Sequence, residues 1–195
     1  MLATLLLIIA AYLLGSVPFG YVFGRLAGID VRTIGSGNIG AANVVRALGR
    51  RRGALTLVAD SAKGFLPVYI AWRLGLGEVE LALTAVAAFL GHLFSVFLGF
   101  HGGKGVATAL GVLMAVAPTA AFSLLILFAA VVFISRMVSL GAIAAAVATP
   151  LFLWLFYQPP VMVLMGVFLG VMVILRHRDN IQRLLAGTES RFTFR

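Results

Sequence analysis

Val106-Ala107-Thr108-Ala109-Leu110-Gly111-Val112-Leu113-Met114-Ala115-Val116-Ala117-Pro118-Thr119-Ala120-Ala121-Phe122 is the stretch on which the fold turns. It belongs to an apolar run, 105–135, that is either one long helix or two short ones reversing near Ala117-Pro118-Thr119. Pro118 has no N–H and its ring clashes with the preceding turn, so it permits a kink or a break. Further apolar runs cover about 2–24, 54–74, 80–100, 137–156 and 160–175. A hydrocarbon core of about 30 Å takes roughly 20 helical residues, and most of these runs approach that length.

Charge placement separates the two readings. With a break at Pro118 and the N-terminus outside, there are seven spans. The inner side then receives Arg25, Arg32, Arg46, Arg50, Arg51, Arg52, Lys104, Arg136, Arg176, Arg178, Arg183, Arg191 and Arg195, thirteen of the fifteen bases. Arg73 falls outside and Lys63 inside a span. With six spans only seven bases stay inside, so the positive-inside rule favours seven, with the N-terminus periplasmic and the C-terminus cytoplasmic.

Composition agrees with a membrane bundle. Of 195 residues, 62% are hydrophobic and 11% charged, with a mean hydropathy of +1.11. Soluble domains are about 45–50% apolar and about 25% charged. The expected fold is an all-α integral membrane bundle of seven transmembrane helices, one domain over 1–195. The first run lacks a positively charged n-region and reads as a retained helix rather than a leader. The net charge of +9 would suggest nucleic acid in a soluble protein, but here it marks the cytoplasmic loops, and no nucleic-acid partner is expected. There is no cysteine, and the three His and six carboxylates are scattered. That excludes thiolate chemistry and leaves no metal or other cofactor expected.

In the seven-span topology the polar segments 25–53, 101–104 and 176–195 share the cytoplasmic face. The first contains Gly35-Ser36-Gly37-Asn38-Ile39-Gly40-Ala41-Ala42-Asn43-Val44-Val45-Arg46. It fits G-x-G-x-x-G, yet no βαβ unit surrounds it, so a dinucleotide fold is rejected. Glycine-bearing backbone N–H groups and a helix starting at about Gly40 still suit an anion. Ser36, Asn38 and Asn43 can donate hydrogen bonds, and Arg46 can fork onto phosphate oxygens. The alternative is a flexible loop that touches lipid headgroups.

The second segment, Gly99-Phe100-His101-Gly102-Gly103-Lys104-Gly105-Val106-Ala107-Thr108, fails as a Walker A loop, because Leu98 and Gly105 stand at two required positions. Gly102, Gly103 and Gly105 around Lys104 at a helix start nevertheless form a second candidate anion cradle. Lys104 as a topology anchor is the plain alternative. In the third segment, Arg176-His177-Arg178-Asp179-Asn180 through Glu189, a continuing helix would put His177 and Asn180 on one face at i, i+3. His177 is then a hydrogen-bond partner or proton carrier at the cytoplasmic rim, or an interfacial histidine without chemistry. Asp60 and Lys63, also at i, i+3, read as a buried ion pair or as site residues. His92 and Ser95 read as buried hydrogen-bonding groups or as catalytic ones.

Ser16-Val17-Pro18-Phe19-Gly20, the 35–46 run, Gly91-His92 leading to Gly102-Gly103-Lys104-Gly105, and Arg176-His177 with Asn180, Arg183, Leu184 and Gly187 occur in this order. Together they resemble the bacterial acyl-phosphate:glycerol-3-phosphate acyltransferase (PlsY) family over essentially the whole chain. The resemblance implies an inner-membrane enzyme, active on the cytoplasmic side, that moves a fatty acyl group from acyl phosphate to the 1-hydroxyl of glycerol 3-phosphate. Lysophosphatidate and phosphate are the products. No acyl-CoA or acyl carrier protein donor, cofactor or protein partner is expected. The H-x-x-x-x-D motif of acyl-CoA enzymes is absent, since Phe97, Val106 and Gln182 stand five residues after the three histidines.

The candidate catalytic set is Ser36, Arg46, Lys104, His177 and Asn180. Candidate substrate or phosphate contacts are Gly35, Gly37, Asn38, Gly40, Asn43, Gly102, Gly103, Gly105, Thr108 and Glu189. Acyl phosphate carries a good leaving group, so positioning and charge stabilisation suffice. The resemblance is compatible with a substrate-assisted route in which the donor's own phosphate takes the hydroxyl proton, with His177 as the alternative base. A transporter for phosphate-bearing anions would hold its site near mid-membrane between repeats, and no repeat is visible. A basic lipid-binding scaffold explains the charge but not the glycine spacing.

Overall fold

The structure, a computed structural model, describes residues 2–192. Arg195, one of the bases assigned to the inner side, lies outside them. The described residues form α1 (Leu2–Ser16), α2 (Phe19–Leu26), α3 (Ala41–Leu48), α4 (Arg50–Arg73), α5 (Glu78–Leu93), α6 (Val106–Val116), α7 (Pro118–Ser135), α8 (Val138–Leu155), α9 (Pro160–Arg176) and α10 (Arg178–Leu185). Short 3-10 turns cover Val31–Thr33 and Val96–Leu98. The helices pack as two compact units, Met1–Val116 and Ala117–Arg195.

The break at Pro118 forms as expected: α6 stops at Val116 and Pro118 opens α7, where its missing N–H costs nothing. Two other expectations change. The run 2–24 is two helices bent by 42° at Val17-Pro18, because Pro18 withholds an N–H and drives Val17 out of helical conformation. The helix ending at Arg176 does not continue straight; α9 and α10 meet at 61° around His177.

Among the described residues four segments are long and apolar enough to cross a membrane: Arg50–Arg73, Glu78–Leu98, Pro118–Ser135 and Val138–Leu155. The count rises to six if each bent pair is one span. The seventh expected span, α6, has 11 residues. At 1.5 Å per residue it is about 16 Å long, short of the hydrocarbon core.

The burial pattern suits lipid. Ile126, Phe133, Ile134, Trp154 and Leu164 are exposed, while Thr56, Asp60, Lys63, Thr84 and His92 are buried. At the far end of α4 from Arg50-Arg51-Arg52, the rings of Phe65 and Tyr69 stack and that of Trp72 lies tilted beside Tyr69, in the kind of aromatic group found at a membrane interface.

Helices approach closely where glycine removes the side chain, the usual device in the absence of a hydrophobic drive between spans. In the first unit, a Cβ at Gly64 would strike the Thr108 carbonyl and one at Gly111 the Ser61 carbonyl, which locks α4 on α6. Gly15 and Gly91 do the same for α1 and α5. In the second, Gly166 of α9 faces only the end of the Leu153 side chain and Thr149 Cγ2.

The contrast gives a test. Gly111→Ala pushes backbone against backbone and should lower stability by about 1–3 kcal/mol in thermal unfolding in detergent. Gly166→Ala meets movable side-chain atoms and should cost less than about 1 kcal/mol.

Candidate active site

The first segment folds around one amide. Asn43, buried on α3, accepts the Ser36 N–H at 2.9 Å and donates to the carbonyls of Val31 (2.9 Å), Ile34 (3.0 Å) and Asn38 (2.9 Å). Gly35 and Gly37 take the positive φ values, 59° and 67°, that the loop's turns require. The Gly37 N–H goes to the Ile34 carbonyl and the Gly40 N–H to Asn38 Oδ1. The expected convergence of these amides on an anion is therefore replaced by bonds inside the loop.

What the loop presents outward is the exposed Ser36, the exposed Arg46, and the start of α3. Gly40 caps that helix without a side-chain acceptor, so its first-turn N–H end keeps its partial positive charge. The loop is braced by a pair the sequence reading passed over. Arg32 binds Asp30 through Nε (2.9 Å) and Nη2 (2.7 Å) and lies 4.6 Å above the Tyr21 ring. The Arg32 hydrogen bonds hold the Asp30 carboxyl down at about 2.

The second segment is shaped by α5. The Gly103 N–H donates to the His92 carbonyl at 3.1 Å. A Cβ at Gly102 would strike that carbonyl, one at Gly103 the His92 ring, and one at Gly105 the Phe89 ring. These glycines thus let the loop lie flat on α5. Gly105, at φ 84°, then turns the chain into α6 immediately after Lys104. Thr108, a candidate phosphate contact of this segment, is fully buried against α4, and its Oγ1 has no hydrogen-bond partner. It packs between helices rather than at the rim.

An apolar cluster joins the two segments. Val31, Ile39 and Val44 are buried together, and Leu98, from the turn before Gly99, packs on them with Tyr21, Ala47 and Leu48.

The third segment lies in the second unit. His177 sits at the α9–α10 bend and is 3% exposed. Its backbone N–H bonds to Ile174, and its ring Nδ1 donates instead to the Val173 carbonyl at 2.8 Å. A side chain thus replaces the backbone bond that a continuing helix would make, which is why the helix turns here.

Glu189 folds back onto α10, where it is a tie rather than a free acceptor. Its Oε1 accepts from Ser139 (2.7 Å) and Asn180 (2.7 Å), and its Oε2 from Arg183 Nε (2.8 Å). Burial raises a carboxyl, but these hydrogen bonds and the Arg183 charge outweigh it and hold Glu189 below the usual glutamate range. The Phe192 N–H fastens the same tail to the Arg136 carbonyl at 2.6 Å. Ser139 stands 50 residues from Glu189, and no spacing in the sequence signals it. Among the described residues no cluster of three or more His, Cys, Asp or Glu is placed to hold a metal ion.

Two outcomes are expected. Asn43→Ala removes the side-chain donor from three loop carbonyls, of which Ile34 keeps the Gly37 N–H and Val31 the Ile34 N–H, at about 1–3 kcal/mol for each one left buried and unpaired. Protease cleavage within 31–40 should accelerate at least about tenfold. Glu189 has a lowered folded pKa, so its contribution is whole above about pH 4.3, the ordinary value, and is lost as pH falls through the folded one. Glu189→Gln should be less stable than the parent at pH 7 by about 1–3 kcal/mol. That gap in thermal midpoint should close on acidification below about pH 4.

The comparisons with known proteins cover the chain from end to end. The family model for glycerol-3-phosphate acyltransferase matches residues 5–187. The glycerol-3-phosphate acyltransferase of Trichlorobacter lovleyi is 52% identical over 98% of this chain and 99% of its own. That of Aquifex aeolicus is 47% identical over 96% and 98%. The fold superposes on the crystal structure of PlsY (YgiH), an integral membrane glycerol 3-phosphate acyltransferase. On its glycerol 3-phosphate form the TM-score is 0.95, at 46% identity over 98% of this chain and 96% of that one. On its lysophosphatidic acid form the TM-score is 0.93, at 45% identity with the same coverage. Agreement of this length in both sequence and fold leaves one assignment: this chain belongs to the glycerol-3-phosphate acyltransferase family.

Proposed function

We propose that this protein transfers a fatty acyl group from acyl phosphate to the 1-hydroxyl of glycerol 3-phosphate, with residues 1–195 acting as one membrane-embedded domain. The observation that carries the reading is the apolar cluster of Val31, Ile39, Val44 and Leu98. It sets the segment bearing Ser36 and Arg46 beside the one leading to Lys104, and a reaction between two phosphorylated substrates needs two adjacent cationic segments. The glycerol 3-phosphate and lysophosphatidic acid forms of the related PlsY support the acceptor and the product.

In the proposed step the glycerol 1-oxygen attacks the acyl carbonyl, and the bond from that carbon to the phosphate oxygen breaks. The hydroxyl proton passes to the departing phosphate, with His177 as the alternative acceptor. Lys104 holds a phosphate as a point charge and Arg46 as a planar fork. Ser36 and the α3 N-terminus face charge developing on the carbonyl oxygen. Asn180 helps to orient the acceptor, and its bond to Glu189 fixes its amide for that task. Seven spans, with α6 the shortest, put the three segments on the cytoplasmic face of the inner membrane and agree with the distribution of bases.

Purified protein in detergent, given acyl phosphate and labelled glycerol 3-phosphate without any thioester donor, should form lysophosphatidate. Product only with acyl-CoA or acyl carrier protein would refute the donor. Lys104→Met should raise KM for a phosphorylated substrate by about 10- to 100-fold, as loss of a charged hydrogen bond does. His177→Gln should retain measurable turnover under the substrate-assisted route and lose nearly all of it if His177 is the base.

A further inference from the structure

Asp60, Lys63 and His92 are each 2–3% exposed in the first unit, and the step proposed above uses none of them. Lys63 Nζ lies 3.0 Å from Asp60 Oδ1 and donates to the Val17 carbonyl at 2.6 Å. It also stands 5.8 Å above the Phe19 ring. The ammonium therefore grips the α1–α2 break from both sides. Beyond the break, α2 lies directly on the first loop, since a Cβ at Gly20 would strike the Ile39 carbonyl. On the other side, Asp60 Oδ1 is 3.7 Å from His92 Nδ1, and His92 forms the floor under Gly102 and Gly103, the residues before Lys104.

We infer that Asp60 is a positioning residue. Through Lys63 it fixes the loop of Ser36 and Arg46, through His92 it fixes Lys104, and so it sets the spacing between the two segments. The same carboxylate oxygen faces both lines, 3.0 Å from Lys63 Nζ and 3.7 Å from His92 Nδ1. A purely structural pair would need only to neutralise itself. Here His92 meets the backbone that leads to Lys104, and Lys63 holds the break before α2, which itself lies on the loop of Ser36 and Arg46. Spacing between two reactants governs the transfer step more than the capture of either one, and a displacement of about 1 Å costs a rate on the order of a hundredfold. The inference rests on the proposed function only in reading those segments as phosphate holders.

The test is steady-state transfer by the full-length protein in detergent, with folding followed by thermal midpoint and monodispersity. Asp60→Asn should reduce kcat roughly 30- to 100-fold while KM for each substrate stays within about threefold. Since that change leaves Lys63 buried and charged, the double variant Asp60→Asn/Lys63→Met, which removes both charges, is measured beside it, together with His92→Gln. All three should show the same split. A folded variant with kcat within about threefold of the parent overturns the inference, and so does a rise in KM with kcat unchanged. The parent separates the two claims. If it works only with a thioester donor, the donor assignment falls and the variants are compared on that donor. If it is inactive with every donor, both readings fall.

Discussion

A lysine ammonium between a carboxylate and a backbone carbonyl, buried among apolar helices, is the constraint from which the first unit is organised. Taking either ion out of water costs several kcal/mol, and only close geometry with further hydrogen bonds offsets it. Lys63 meets that condition by binding Asp60 and the Val17 carbonyl together. The carbonyl needs it as much as the charge does. Pro18 ends α1 inside an apolar bundle, where an unsatisfied backbone group has no water to turn to. The neighbouring orphans are met in the same way: Ser95 donates to the Ser16 carbonyl at 2.6 Å, and Tyr12 to that of Phe94 at 2.7 Å. The broken helix is therefore tolerated because Lys63 of α4 and Ser95, just after α5, supply donors to its end.

The second unit meets the same demand with different groups. The α9 helix stops where the His177 ring takes the Val173 carbonyl, and the tail that follows is held by Glu189 through three donors. In both units polar side chains complete the backbone where a helix breaks.

Much of this was legible because it is local. Gly40 and Gly105 mark helix starts, Pro118 marks a break between helices, and Asp60 with Lys63 is a pair at i, i+3; each depends on a few adjacent residues. The break at Pro18 escaped because apolarity continues across it, and hydropathy reports burial in lipid, not the path of the backbone. The bend at His177 escaped because a side chain substituting for a backbone donor leaves no periodic trace. Asn43 and the loop amides suit an anion by residue type, whereas acceptors within the loop itself compete for them first. The tie from Glu189 to Ser139 joins positions whose separation carries no pattern. Nothing in the chain order of the candidate residues distinguishes a group that touches substrate from one that holds its neighbour.

The His177 bond to Val173 has one further consequence. A carbonyl can only accept, so Nδ1 keeps its hydrogen in every charge state and Nε2 alone gains or loses one. The ring can cycle between neutral imidazole and imidazolium without letting go of α9, so a change of charge at this residue leaves the corner of the backbone standing.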